Sequence, residues 1–303
     1  MSESNSGNRF MTVRQVAEYL QLNEKKIYAL ATKEKIPATK VTGKWMFPRE
    51  LVDRWMLESA HGGVFTDRLV IAGSEDPLLY RTLLRLSNCM QSHSLVSYTG
   101  TGTRLGLELL SAQKVNASCL NWGEVYESPQ RHPALLQNYK QHQQWVLVRA
   151  FKRERGIIIH PERKPDDCSS ESLLRSELKW GVRQDGSGTL HFLNELLTQH
   201  KMKIKDLSST VKVFSNRETA ALIVSGQIDA ATGTRSVATE FGLAFVELGW
   251  EVLDFAVLRE VYFRNIFQTF LGSLCSLVIS KIARQLGGYD FIQSRYLIWG
   301  DEY

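Results

Sequence analysis

Apolar positions recur in two different rhythms along the 303-residue chain. Over the first sixty residues the spacing is helical and comes in short bursts. Thr12 and Gln15 stand at capping-box spacing ahead of Val13, Val16, Ala17 and Leu20, which predicts a short amphipathic helix. Gln21-Leu22-Asn23 follows as a tight turn, and Asn23 is placed to cap a second helix over Glu24–Thr32. Ile27, Leu30 and Ala31 face inward on that helix, whereas Lys25, Lys26 and Lys33 point elsewhere. Pro37 stops it. Thr39–Met46 then alternates around Thr42-Gly43, which predicts a β-hairpin. Pro48 suits the first turn of a third helix with Leu51, Val52, Trp55 and Met56 as its core face.

Beyond residue 65 the rhythm changes. Short apolar runs (Leu69–Ala72, Ser94–Ser97, Trp145–Val148, Gly156–Ile159, Ile228–Ala231, Leu243–Leu248) alternate with helical patterns at Pro77–Met90, Thr103–Ser111, Thr189–His200 and Glu218–Ser225. Strands interleaved with helices predict an α/β architecture with parallel sheets. The length fits two domains at about 150 residues each. The apolar stretch from Ile266 to Ile279 is broken by polar residues and is shorter than the roughly 20 residues of a membrane span. Residues 1–8 are polar and carry no secretory pattern. We therefore expect a cytoplasmic protein with no membrane partner. Its four cysteines form no Cys-x-x-Cys pair, and its seven histidines form no metal-binding doublet, so neither a disulfide framework nor a metal site is expected.

Charge separates the same two regions. The chain is +5 overall, but residues 1–60 carry ten Lys/Arg against seven Asp/Glu, and residues 61–303 carry 27 against 25. A small basic head precedes a near-neutral body. Helix, tight turn, helix, basic hairpin and third helix make a winged helix-turn-helix plan, in which the second helix presents residues near its N-terminus to base edges. Those are Asn23, Lys25, Lys26 and Tyr28. Lys33, Lys40 and Lys44 add positive charge for phosphates, and Trp45 packs the wing. The segments Met11–Tyr28, Ile36-Pro37, Val41–Trp45 and Leu51–Trp55 resemble the excisionase/MerR-type DNA-binding domain. That resemblance implies a double-stranded DNA operator as partner. The small footprint of one head leads us to expect a homodimer.

In the body, Arg183-Gln-Asp-Gly-Ser-Gly-Thr189 runs directly into a helix, and so does Tyr98-Thr-Gly-Thr-Gly-Thr103. Glycines let backbone N–H groups converge, hydroxyls add donors, and the helix dipole favours an anion. Two such corners facing each other would clamp one small anion. The segments Leu69–Ser74, Gly102–Leu107, Arg183–Thr189, Glu218–Gly233 and Phe241–Leu248 resemble the type 2 periplasmic-binding-protein fold in its version fused behind a helix-turn-helix. The resemblance implies two lobes, 66–150 with 255–303 and 151–254, with two mixed or parallel sheets and a ligand between them. The expected layout is thus a disordered tail (1–9), the winged head (10–59), a linker (60–65) and the binding domain (66–303). Candidate ligand-binding residues are Ser74, Thr101, Thr103 and Trp122 from one lobe and Arg183, Ser187, Gly188, Thr189 and Thr232 from the other. Several relatives of this type bind molybdate or another oxyanion. This sequence departs from their pattern at Arg104-Leu105, at Asn121-Trp122 and at Leu190. Trp122, Tyr98 and Arg104 suit a flat or carboxylated organic ligand as well as an oxyanion such as molybdate or tungstate.

No catalytic constellation stands out: Gly186–Thr189 lacks the nucleophile-elbow pattern, and no Walker lysine occurs. The expectation is a one-component transcriptional regulator without enzymatic activity or a resident cofactor. A small-ligand buffer or delivery protein, or an enzyme on the same fold, are the alternatives.

Overall fold

The computed structural model describes residues 10–33, 35–60, 68–90 and 94–300. The expected tail (1–9) and nearly all of the expected linker lie outside these residues. The chain divides into two compact units, Met1–Asp67 and Arg68–Tyr303.

The head contains β1 (Phe10–Thr12), α1 (Val13–Tyr19), α2 (Glu24–Thr32), β2 (Thr39–Val41), β3 (Lys44–Pro48) and α3 (Arg49–Ala60). The capping box is formed: the Gln15 amide donates to Thr12 Oγ1 at 3.4 Å, and the Thr12 amide donates to Gln15 Oε1 at 2.8 Å. Asn23 caps α2 through Oδ1, which accepts from the Lys26 amide at 2.8 Å. Replacing Asn23 by alanine is expected to cost about 1 kcal/mol, read as a lower melting temperature of the head. Thr42 and Gly43 both take positive φ, +48° and +84°, the primed-turn geometry that matches strand twist. The turn pairs β2 with β3, and β1 adds to the other edge of β3. Three residues were too few to betray β1 in the sequence. Two expectations need correction. Pro48 ends β3 rather than opening the helix. Of the foreseen core face of α3, Val52 is fully buried and Trp55 partly, three positions apart, whereas Leu51 and Met56 flank that line and are 45% and 43% exposed.

The body comprises β4 (Arg68–Gly73), α4 (Pro77–Met90), β5 (Leu95–Gly100), α5 (Thr103–Ser111), β6 (Ala117–Leu120), α6 (Ser128–Gln137), β7 (Trp145–Ile159), α7 (Ser170–Arg175), β8 (Lys179–Arg183), α8 (Gly188–Gln199), β9 (Ser209–Val213), α9 (Asn216–Val224), β10 (Ala230–Thr234), α10 (Arg235–Glu240), β11 (Ala244–Leu258), α11 (Arg259–Tyr262), α12 (Asn265–Leu274), α13 (Leu277–Leu286), β12 (Tyr289–Asp290) and β13 (Leu297–Trp299). The strand order is β5-β4-β6-β11-β7-β10-β8-β9, with β12 and β13 also paired to β7. β4, β5 and β6 are mutually parallel, as are β8, β9 and β10. The two parallel groups are joined by the antiparallel pair β7/β11, fifteen residues each, or about 50 Å of extended chain. One end of this ribbon belongs to the first lobe and the other end to the second.

Within the ribbon β7 is buried on both faces, so its apolar ends read as continuous runs rather than as alternation. Ile157 and Ile159 enter the core with Trp180 and Leu193, and Ile158 packs on the opposite side with Val213 and Ile223. At the other end Val146 and Val148 join Leu69, Ile71, Phe255 and Phe270, while Trp145 and Leu147 face Leu107 and Leu136. The two sequence runs Trp145–Val148 and Gly156–Ile159 are therefore one strand. The charged stretch between them alternates within it: Phe151, Arg153 and Arg155 are buried, and Lys152 and Glu154 less so. The apolar stretch 266–279 becomes α12, the following turn and the start of α13. Among the described residues no single helix is long and apolar enough to cross a membrane.

Candidate ligand cleft and DNA-binding surface

The parallel strands of both lobes point their C-terminal ends at the space between the lobes, where ligands bind in open α/β sheets. From the first lobe come Ser74–Asp76 after β4, Thr101–Thr103 after β5 and Asn121-Trp122 after β6. From the second come Gln184–Ser187 after β8, Phe214–Asn216 after β9 and Thr234 at the end of β10. The two glycine-rich corners meet. The Arg104 amide, at the start of α5, donates to the Gly186 carbonyl at 3.0 Å, and Gln184 Nε2 donates to the Thr101 carbonyl at 3.3 Å. Gly188, at the start of α8, lies so close to Asn121 that a Cβ there would stand 2.2 Å from the Asn121 carbonyl oxygen.

Charge holds the floor of the cleft. Arg153, 1% exposed on β7, donates to Glu251 (2.8 Å), to Asp76 (3.0 Å), to the Glu75 carbonyl (2.9 Å) and to Ser74 Oγ (3.1 Å). Burial pulls its pKa down, but Glu251 and Asp76 outweigh burial and raise it above the ordinary arginine value. Asp76 also caps α4, accepting from the Leu78 and Leu79 amides, and takes the Tyr289 hydroxyl. Glu251 accepts from Asn121 Nδ2 at 2.9 Å. Next along the ribbon, Asp254 receives Arg149 Nε at 2.6 Å and lies 2.7 Å from His132 Nδ1. The Trp122 amide donates to His132 Nε2 at 3.1 Å, which leaves the proton on Nδ1, facing Asp254. Deep burial of such groups is tolerated because nearly every donor and acceptor is matched.

Two clasps cross the cleft at its flanks. On one, the Asn216 amide, at the start of α9, donates to Glu75 Oε2 at 2.6 Å, and Arg81 pairs with Glu240 at 2.9 Å. On the other, Trp122 stacks on His191 with ring centroids 4.3 Å apart and 12° between planes. Arg131 bonds Glu195 at 3.0 Å, and Arg155 pairs with Glu124 at 3.1 Å while its guanidinium lies 4.2 Å from the Phe192 ring centroid. Burial pushes Glu195 up, but the hydrogen bond and charge of His191, then Arg131 and Arg155, outweigh it and hold the carboxyl below its ordinary 4.5. A depressed carboxyl adds stability above its unfolded pKa and loses it as pH falls through the folded one. The melting temperature of the body is therefore expected to drop below about pH 4.5 more steeply in the native chain than in Glu195→Gln, measured as a series of thermal melts from pH 7 to pH 3.

On the Trp122/His191 flank lies an open cleft of about 640 Å³, with walls that include Thr103, Arg104, Trp122, Tyr139, Ser187 and His191. Of the nine candidate ligand residues, Thr103, Trp122 and Ser187 line this cleft together. The other six are placed elsewhere. Ser74 supports Arg153 and Thr101 is spent on Gln184. Gly188 is packed on Asn121. Thr232 donates to the Thr189 carbonyl inside the second lobe, at 3.3 Å. Arg183 is buried beneath the corner and donates to Gln184, Asn216 and the Phe214 carbonyl; burial lowers its pKa to about 10. Arg153, Arg155, Glu251, Glu75, Asn121 and His191 were not foreseen. The signal for the first two was the charged alternation Arg153-Glu154-Arg155 between two apolar runs.

In the head, Lys25, Lys26 and Tyr28 are exposed on α2, held by the fully buried Ile27, and Lys33 is exposed just past its end. Asn23 is exposed and has its side-chain oxygen engaged in the cap. Lys40 and Lys44 are exposed on the hairpin, and Lys40 Nζ stands 5.7 Å from the Trp45 ring centroid. Arg49 adds a further cation, 5.1 Å from the Tyr19 ring centroid. Among the described residues no group of three His, Cys, Asp or Glu could hold a metal ion.

Comparison with known proteins matches residues 86–275 to the model of the PBP superfamily domain. The chain belongs to the PBP superfamily. Residues 10–60 match the model of a helix-turn-helix domain, so this PBP-superfamily body follows a DNA-binding-type head. Among solved structures, a putative phosphate ABC transporter substrate-binding protein from Clostridium perfringens, with bound phosphate, is 11% identical with a TM-score of 0.54, over 74% of this chain and 99% of the other. The H₂O₂-bound mutant of Corynebacterium glutamicum OxyR is 12% identical with a TM-score of 0.52, over 91% of this chain and 88% of the other. At these identities the likeness concerns the fold. A comparison with curated proteins returns no match.

Proposed function

We propose that this protein is a one-component transcriptional regulator: the head binds an operator in double-stranded DNA, and a small anionic ligand in the body's cleft changes that binding. The observation that carries the reading is the fusion of a helix-turn-helix head to a PBP-superfamily body in which Thr103 and Ser187, from opposite lobes, line one cleft. In this reading the protein works in the cytoplasm as a homodimer, without catalysis and without a resident cofactor. The ligand is a molybdate-like oxyanion or a small organic acid. Phosphate in the Clostridium perfringens protein supports an anion, as do the helix N-termini that converge on the cleft.

A ligand changes operator affinity only as far as it prefers one conformation of the body. The experiment is a thermal-shift screen of the full chain with molybdate, tungstate, sulfate, phosphate and small organic acids. A true ligand at a hundredfold excess over its Kd adds about 2.7 kcal/mol of stability. Recovery of that ligand chemically unchanged after incubation is the expected result for a sensor; its conversion to product would identify an enzyme instead.

A further inference from the structure

The inner corner of the cleft is closely hydrogen-bonded within the protein. An inorganic oxyanion is held by several N–H and O–H donors converging on one point. Here several of the corner's polar atoms already serve the protein, the Arg104 and Asn216 amides and Thr103 Oγ1 as donors and Ser187 Oγ and Ser74 Oγ as acceptors. The Arg104 amide donates to Gly186, and Ser187 Oγ caps α8 by accepting from the Leu190 amide at 3.1 Å. Thr103 Oγ1 donates to the Asn121 carbonyl at 3.2 Å, and Ser74 Oγ accepts from Arg153. Asn121 occupies the space beside Gly188. The Asn216 amide, which opens α9, is satisfied by the Glu75 carboxylate.

Space opens further out. The cleft of about 640 Å³ has the size that pockets for organic ligands show, about 300–1,000 Å³. A tetrahedral ion would leave most of it to water. Its walls include Leu107 and Leu190, both buried, and the half-buried Tyr139. Trp122, one face of its ring stacked on His191, lines the cleft as well. One cation stands over these walls. Arg104 is exposed at the rim, and among the described residues no ion pair includes it. Its charge reaches Tyr139, whose hydroxyl pKa is raised by burial and by Glu108 and lowered by Arg104. The acid on the facing rim, Asp185, is exposed and 4.0 Å from Lys212. On the flank, Arg131 is committed to Glu127 and Glu195, and Arg155 to Glu124 and Glu195.

We propose that the ligand is a planar organic acid, seated in the outer cleft with its ring against Trp122 and its carboxylate on Arg104, and that inorganic oxyanions are not ligands. This names the ligand class of the site on which the regulator reading rests. An apolar wall with a few placed polar groups selects such a molecule: the ring gains burial and aromatic contact, and the guanidinium fixes the carboxylate end.

The test is a calorimetric titration of the full chain with benzoate, salicylate and indole-3-acetate, beside molybdate and phosphate, with duplex binding measured on the same preparation. Saturable 1:1 binding of at least one aromatic acid is expected. It should weaken about tenfold or more in Arg104→Ala and also in Trp122→Leu, with no heat from either inorganic ion. Arg104 is exposed, so its variant keeps the fold and the duplex affinity as internal controls. Binding of molybdate or phosphate, or aromatic-acid binding that Arg104→Ala leaves unchanged, would overturn the proposal. So would silence from all five compounds. In each case retained duplex binding leaves the regulator reading standing, and loss of duplex binding in the native chain brings that reading down separately.

Discussion

Replacing Arg153 by alanine is expected to cost about 3–5 kcal/mol of stability, because it strands two buried carboxylates rather than removing one contact. Arg153 lies on β7 between Asp76, 0% exposed, and Glu251, 3% exposed. Both acids would remain in the interior without their cation. Asp76 keeps the amides of α4 and Glu251 keeps Asn121, but neither partner carries charge. Arg153→Lys retains the charge and loses the fork that reaches Ser74, Glu75, Asp76 and Glu251 at once, so it should recover only part of the loss. The measurement is the urea midpoint of the body's unfolding transition. A loss below about 1 kcal/mol in the alanine variant would mean that the floor of the cleft is solvated and that the Arg153 network does not hold the two lobes on their ribbon.

The Lys25→Ala/Lys26→Ala double variant is expected to bind duplex DNA about tenfold or more weakly. Its dependence on salt should also be shallower by about two in the slope of log K against log salt, since each lost phosphate contact removes about 0.9. Both lysines are exposed on the first turns of α2, next to the buried Ile27 that fixes the helix. Their truncation leaves the core and the Asn23 cap in place. Fluorescence anisotropy on a mixed-sequence duplex at several salt concentrations reads both quantities. An unchanged slope would place the DNA contact on another face of the head.

The head was legible because its signals are local. A cap, a turn that takes positive φ at Thr42 and Gly43, and three short helices are each written within a few residues. What escaped was β1, whose pairing with β3 depends on residues more than thirty positions away. In the body, helices with strong periodicity such as Pro77–Met90 and Thr103–Ser111 stand where their patterns put them. The hinge ribbon was not legible as one element. Buried arginines in a strand look like solvated loop, and only the carboxylates of Asp76, Glu251 and Glu124, distant in sequence, make their burial affordable. The site was half legible for the same reason. Glycine-rich corners announce converging amides, and the structure brings Thr103 and Ser187 to one cleft. Whether those amides are free is decided by Asn121, Gly186 and Glu75, which no local pattern marks.

The most direct measurement is an anisotropy titration of the full chain on a duplex selected from a random library, with and without a saturating amount of the compound that stabilises the body. A shift in Kd of about 5–150-fold, the range of typical coupling energies, is the result expected of a regulator whose cleft speaks to its head. Equal affinities in the two titrations, with the compound shown to be bound, would contradict it.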